Sequence, residues 1–308
     1  MALYAFDGTW NQQKDNDTAY ANTNVARFFD AYHARSGTDD VYEQGIGTKL
    51  GAIGHAIGGA FGAGELDRLE GAYNRLCENW VRKNDKIIDL VGFSRGAATC
   101  LDFCNLITRR GISDPVTHDK RSDTPRFRFV GLFDVVGAFG AGAVLFDLPV
   151  FNLGHHLSIP REQIDYCFHA MALDEVRTSF NVIRVGGAHE VWFRGVHGDV
   201  GGGDANRGLN DITLRWMMLK AKAAGLPFTA EDIAALHPDA SCPPQLHDLP
   251  PIWRPMGAAD LRHYTVQTMN KCRPLASGGV IEDPATEVIA QRVGASGVRA
   301  DAQAGGVT

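Results

Sequence analysis

The run Ile87-Ile88-Asp89-Leu90-Val91 passes through Gly92-Phe93-Ser94-Arg95-Gly96 into a helical stretch over 97–109. An apolar strand, a glycine-flanked turn and a helix in immediate succession leave few folds open. The glycines two residues before and after Ser94 remove the Cβ atoms that would collide with the neighbouring strand and helix. The turn can then lift the serine hydroxyl above the sheet edge. With 35 glycines in the chain, the bare Gly-x-Ser-x-Gly spacing is expected by chance about 0.1 times. The strand and helix on either side therefore carry the inference.

The rest of the chain alternates between the two periods. Buried-strand patterns are expected over 3–6, 41–44, 127–133, 182–185 and 191–196. Helical patterns are expected over 23–34, capped by Thr23 or Asn22, and over 209–224. A further helix over 65–82 places Leu66, Leu69, Tyr73, Leu76, Cys77 and Trp80 on one face. This alternation predicts an α/β fold: a mostly parallel central sheet with helices on both faces. An irregular cap is expected from the aperiodic segment 138–165 and the proline-rich segment 243–255. A single domain should span 1–293, with a flexible tail over 294–308.

Composition narrows the function classes. The balance of 30 Lys and Arg against 36 Asp and Glu gives a net charge of −6, and no basic run exceeds two residues, which argues against nucleic acid as a partner. The first residues lack the basic and apolar regions of a secretory signal, so cytoplasmic synthesis and folding are expected, with export only by a route that needs no cleavable signal. Cysteines 77, 100, 104, 167, 242 and 272 lack metal-ligand spacing and read as reduced thiols. Of two apolar stretches, 50–64 is too short to cross a bilayer, and 131–154 is interrupted by Asp134, Asp147 and Pro149. Segments 50–64 and 138–154 are instead expected to form a mobile apolar rim over Ser94.

A serine hydroxyl is a poor nucleophile near neutral pH and needs a histidine base held by a carboxylate. Asp134 ends the apolar run 127–133, and His197, bracketed by Gly195 and Gly198, ends the run 191–196. Both fall at strand C-terminal ends, the edge where open α/β sheets collect catalytic groups. Asp174 and Asp199 are the competing candidates for the acid. An oxyanion hole needs two amides, one from Arg95 after the serine and one from the Gly8-Thr9 loop after the first strand. Asp7 can brace that loop through its own backbone, and Asp199 can support the site. This chemistry requires no cofactor and no metal.

Two other classes stay open on the residues alone. Asp7, Asp199, Asp204 and His197 would suit a Mg²⁺- or Mn²⁺-dependent phosphoesterase, although Thr9 stands where a phosphotransfer loop would carry a second aspartate. A hydrolase fold can also serve as a catalytically inactive binding protein.

Four stretches together carry a resemblance: Phe6-Asp-Gly-Thr-Trp-Asn11, Gly92-Phe-Ser-Arg-Gly-Ala97, Gly131-Leu-Phe-Asp-Val-Val136 and Trp192-Phe-Arg-Gly-Val-His-Gly-Asp-Val-Gly-Gly-Gly203. Ala172-Leu-Asp-Glu175 with Arg177 adds to them. The chain resembles, over about residues 1–210, the α/β-hydrolase family that includes the class 1 type VI secretion lipase effectors. The resemblance implies a triad of Ser94, Asp134 and His197 and hydrolysis of carboxylic esters, with lipid or phospholipid acyl esters as substrates. For an effector it also implies contact with a membrane surface, a secretion apparatus and an immunity protein. Effectors of this kind commonly carry a large membrane-associating region, for which 308 residues leave little room.

Overall fold

The computed structural model describes residues 1–9, 11–14, 22–36, 39–45, 60–122, 124–137, 159–204, 206–275 and 278–293, with the side chains of 60–66 excepted. The expected rim over 50–64 and 138–154 and the expected tail at 294–308 lie outside the described residues, save for helical backbone from residue 60. In chain order the elements are β1 (Ala2–Phe6), α1 (Asn24–Ser36), β2 (Val41–Glu43), α2 (Ala60–Arg82), β3 (Ile88–Phe93) and α3 (Arg95–Arg110). A short antiparallel pair follows, β4 (Ile112–Ser113) and β5 (Lys120–Ser122), then β6 (Phe127–Phe133), β7 (Ile164–Ala172) and β8 (His189–Phe193). The chain continues through α4 (His197–Gly201), α5 (Arg207–Ala223), α6 (Ala230–Ala234), β9 (Leu261–Arg262) and β10 (Val280–Ile281).

Eight strands form one sheet in the order β10-β9-β8-β7-β6-β3-β1-β2, and every neighbouring pair is parallel. The central strands are covered on both faces, which is why they read as unbroken apolar runs. Along β1, Leu3 and Ala5 pack with Phe28 of α1 and Trp216 of α5, while Ala2, Tyr4 and Phe6 pack with Leu76 of α2 and Phe103 of α3. Each fully buried Phe or Trp in these layers contributes about 2 kcal/mol through removal of apolar surface from water.

Three local expectations needed correction. Segment 182–185 is not a strand: Val182 makes a single bridge to Val136, and Ile183 N donates to Val135 O at 2.8 Å. These contacts tie it beside the end of β6 instead of adding it to the sheet. β7 was not expected, because Asp165, Tyr166 and His169 interrupt its apolar pattern. His169 tolerates full burial because its Nδ1 meets Glu190 Oε1 at 3.0 Å and its Nε2 accepts from Val135 N at 3.1 Å. The glycine-rich stretch that begins at His197, where no helix was expected, opens with the short helix α4.

The six cysteines are free thiols, all buried except the half-buried Cys242. Among the described residues, no helix is long and apolar enough to cross a membrane. Segment 243–255 runs across the C-terminal edge of the sheet, where Gln245 N donates to Asp199 Oδ2 at 3.1 Å and Arg254 reaches Asp134.

Candidate active site

Ser94 is the single residue between β3 and α3, with φ 58° and ψ −126°. A side chain in this region of positive φ costs about 1 kcal/mol or more, and the surroundings hold it there. Ser94 N donates to Phe133 O at 3.0 Å, and Ser94 O accepts from Ala97 N at 3.1 Å and Ala98 N at 3.3 Å. The flanking glycines are required by space. A Cβ on Gly96 would lie 2.2 Å from Phe6 O, and one on Gly92 would lie 2.7 Å from both Ala97 Cα and Cys100 Sγ. Among the described residues the Ser94 hydroxyl has no hydrogen-bond partner, and its residue is 6% exposed.

β6 pairs with β3 so that Phe133 stands opposite Phe93. Ser94 and Asp134 therefore leave adjacent strands at one level. Asp134 is fully buried, and its Oδ2 lies 2.6 Å from His197 Nδ1. Oδ1 accepts from Ala172 N at 2.8 Å. Arg254 closes on both oxygens, Nη1 to Oδ1 at 2.7 Å and Nη2 to Oδ2 at 2.9 Å. Burial alone would raise the Asp134 pKa, but the Arg254 charge and the His197 hydrogen bond outweigh it and hold the carboxyl below its ordinary value.

His197 opens α4 beyond the end of β8. Its backbone N donates to Glu175 Oε2 at 3.1 Å, and its ring lies between Phe93, 4.5 Å away between centroids, and the edge-on Phe180, 4.9 Å away. Burial lowers its pKa below the ordinary histidine value, against the opposing pull of Asp134. Because an ionised carboxylate only accepts, Nδ1 carries the proton and Nε2 is left as the acceptor of a neutral ring. Such an imidazole can take a proton from a hydroxyl placed at Nε2.

The two competing acids bind elsewhere. Asp174 accepts from Arg194 Nη1 at 2.5 Å, Gly195 N at 2.7 Å and Arg273 N at 2.9 Å. Asp199 accepts from Val196 N at 2.8 Å and Asn206 Nδ2 at 2.6 Å, which fixes the start of α4 beneath His197.

The Gly8-Thr9 loop follows β1, directly beside β3. Asp7 is buried, and its Oδ1 accepts from Gly8 N at 2.7 Å while Oδ2 accepts from Thr23 Oγ1 at 2.7 Å and from the Tyr42 hydroxyl. Burial, only partly offset by these donors, pushes the Asp7 carboxyl up to about 6. Of the two amides this loop offers, Gly8 N is thus committed to Asp7. Thr9 N has no partner among the described residues. Arg95 N sits at the opening of α3, where the helix dipole favours negative charge.

The four residues considered as metal ligands are not gathered. Asp7 is occupied by Gly8, Thr23 and Tyr42, and Asp199 by Val196, Asn206 and Gln245. Among the described residues no group of three His, Cys, Asp or Glu side chains could hold a metal ion. Two residues of the site escaped the sequence reading. Phe180 covers the His197 ring, and Arg254 clamps Asp134 from 120 residues away. The one available signal for Arg254 was its position near the end of the proline-rich segment expected in the cap.

The parallel sheet flanked by helices, with Ser94, Asp134 and His197 in that chain order along its C-terminal edge, has the arrangement of an α/β-hydrolase fold. Residues 3–123 and 113–220 match the family described as "T6SS, Phospholipase effector Tle1-like, catalytic domain", and the chain belongs to that family. A solved structure described as "Crystal structure of an uncharacterized protein from Pseudomonas aeruginosa" is similar at 20% identity and a TM-score of 0.46, covering 77% of this chain. This chain spans about half of that protein, 48% of its length. No curated protein matches the sequence.

Proposed function

We propose that this protein is a serine hydrolase of lipid acyl esters, phospholipids foremost, working through Ser94, His197 and Asp134. The observation that carries the reading is the 2.6 Å Asp134–His197 pair at the same sheet edge as a serine held at φ 58°. In this scheme His197 Nε2 takes the Ser94 proton as Oγ attacks the ester carbonyl carbon, forming a tetrahedral oxyanion. Arg95 N and Thr9 N donate to that oxyanion. Its collapse breaks the acyl–oxygen bond, and the leaving alcohol takes the proton from His197. Water then repeats the sequence on the acyl-enzyme, releasing a fatty acid and restoring Ser94.

The family's description as a phospholipase effector supports the substrate class. It also supports delivery by a type VI apparatus, action at a membrane surface and a cognate immunity protein as partner. The test uses a fluorophosphonate probe and phosphatidylethanolamine–phosphatidylglycerol vesicles, both with EDTA present. The expected result is labelling and fatty-acid release by the wild type, with both abolished in Ser94→Ala. Activity that disappears with EDTA, or labelling that survives Ser94→Ala, would overturn the proposal.

A further inference from the structure

Arg254 lies outside the residues that match the family, in the segment that crosses the sheet edge. It is 3% exposed, and its two terminal nitrogens serve Asp134 and two carbonyls, Ala172 O at 2.9 Å and Phe180 O. Its Nε has no partner among the described residues. Burying a guanidinium is costly, and leaving one of its N–H groups unbonded adds to that cost. What offsets that cost is the ion pair with Asp134.

A carboxylate has about four acceptor sites, and those of Asp134 are taken by Ala172 N, His197 Nδ1 and the two Arg254 nitrogens. The fork fixes the plane of the carboxylate, and with it the direction in which Oδ2 meets the imidazole. We propose that Arg254 is a positioning residue of the active site: its bidentate grip on Asp134 aims the carboxylate at His197 and offsets the negative charge that the imidazole faces. The proposal rests on the serine-hydrolase reading above.

Its consequence concerns the protonation of the base. The ionisable groups facing His197 are Asp134 and Arg254, Glu175 with its partners Arg177 and His247, and Asp199 and Asp204, in and just after its own helix. Asp134 and Glu175 favour the imidazolium, whereas burial and the Arg254 charge oppose it. Removing the guanidinium leaves Asp134 uncompensated beside the ring. His197 would then hold its proton to higher pH, and the enzyme would lose its base at pH values where the wild type still works.

The experiment measures the second-order rate of labelling by a neutral fluorophosphonate between pH 4.5 and 9, on the full chain, for the wild type, Arg254→Met and Arg254→Lys. The position of the acid limb does not depend on how much of each preparation is folded, so a destabilised variant still reports it. The wild-type limb is expected below the ordinary histidine value of 6.5. In Arg254→Met it should move up by about one pH unit. In Arg254→Lys, which keeps the charge and loses the fork, the limb should stay in place while the plateau rate falls. A limb that coincides in Arg254→Met and the wild type, with only the plateau reduced, would overturn the proposal. A wild type that is not labelled, or a Ser94→Ala variant that is, would overturn the serine reading instead.

Discussion

The proposed nucleophile half and the proposed acid–base half of the candidate site are held by different means. Ser94 is placed by backbone alone: its φ of 58°, its bonds to Phe133 and Ala97, and glycines on either side that admit no Cβ. Asp134 and His197 are placed by side chains and amides drawn from across the chain: Ala172, His197 and Arg254 reach Asp134 from 38, 63 and 120 residues away in sequence. A backbone-built element is encoded by a handful of consecutive residues. A side-chain network exists only once the sheet has assembled and segment 243–255 has crossed its edge.

The largest effects should come from removing the reacting groups. Ser94→Ala is expected to lower ester turnover by about 10⁵-fold or more while the melting temperature stays near that of the wild type. His197→Ala should lose a comparable amount, and the double variant should be little worse than either. Losses that multiply would show that the two halves act independently, which would break the comparison at its root.

Asp134→Asn tests the acid–base half alone. An asparagine can satisfy Ala172 N, but its amide cannot accept from His197 Nδ1 in place of Oδ2, so the imidazole turns to the wrong tautomer. The expected loss is about 10⁴-fold in turnover. Activity within tenfold of the wild type would remove Asp134 from the acid position.

The same contrast decides what could be read from the sequence. Ser94 was legible because strand, glycine turn and helix are contiguous, and Asp134 and His197 because each ends an apolar run at the functional edge of the sheet. β6 was expected with the bounds it has, since its seven residues are almost wholly buried and apolar. β7 was invisible because His169 is paid for by Glu190 and Val135, partners no local pattern reveals. Arg254 and Phe180 were missed for the same reason. Nothing in the residues beside them announces a carboxylate or an imidazole folded against them.

Gly96→Ala probes the backbone-built half. Its Cβ would stand 2.2 Å from Phe6 O and 2.6 Å from Asp7 O, so α3 or the end of β1 has to shift. A cost of about 2 kcal/mol in unfolding free energy is expected. Displacement of Ser94 by a fraction of an ångström to an ångström should lower turnover by about 10²-fold. Denaturant unfolding and vesicle hydrolysis measured on one preparation would check both. An alanine tolerated in both assays would show that the elbow is less tightly fixed than the acid–base network, reversing the comparison.

The smallest effect is expected at Asp199, which braces the acid–base half without touching the imidazole ring. Burial, with the charge of Asp204 also acting in that direction, pushes its carboxyl up to about 7, and its oxygens accept from Val196 N, Gln245 N and Asn206 Nδ2. The carbonyl of an asparagine can take both backbone donors, so Asp199→Asn should cost less than tenfold in turnover. Its pH dependence gives the sharper reading. A carboxyl whose pKa is higher in the folded chain than its ordinary 3.8 stabilises the fold fully below that ordinary value. The contribution is lost as pH rises through the folded value. The wild-type melting temperature should therefore fall between pH 5 and 8 relative to that of Asp199→Asn, which has no such proton to lose. Melting curves of both proteins at pH 5, 6, 7 and 8 measure this directly. A constant gap across the series would mean that Asp199 is ionised throughout, and that the start of α4 is held by a charged brace as strictly as Asp134 is held by Arg254.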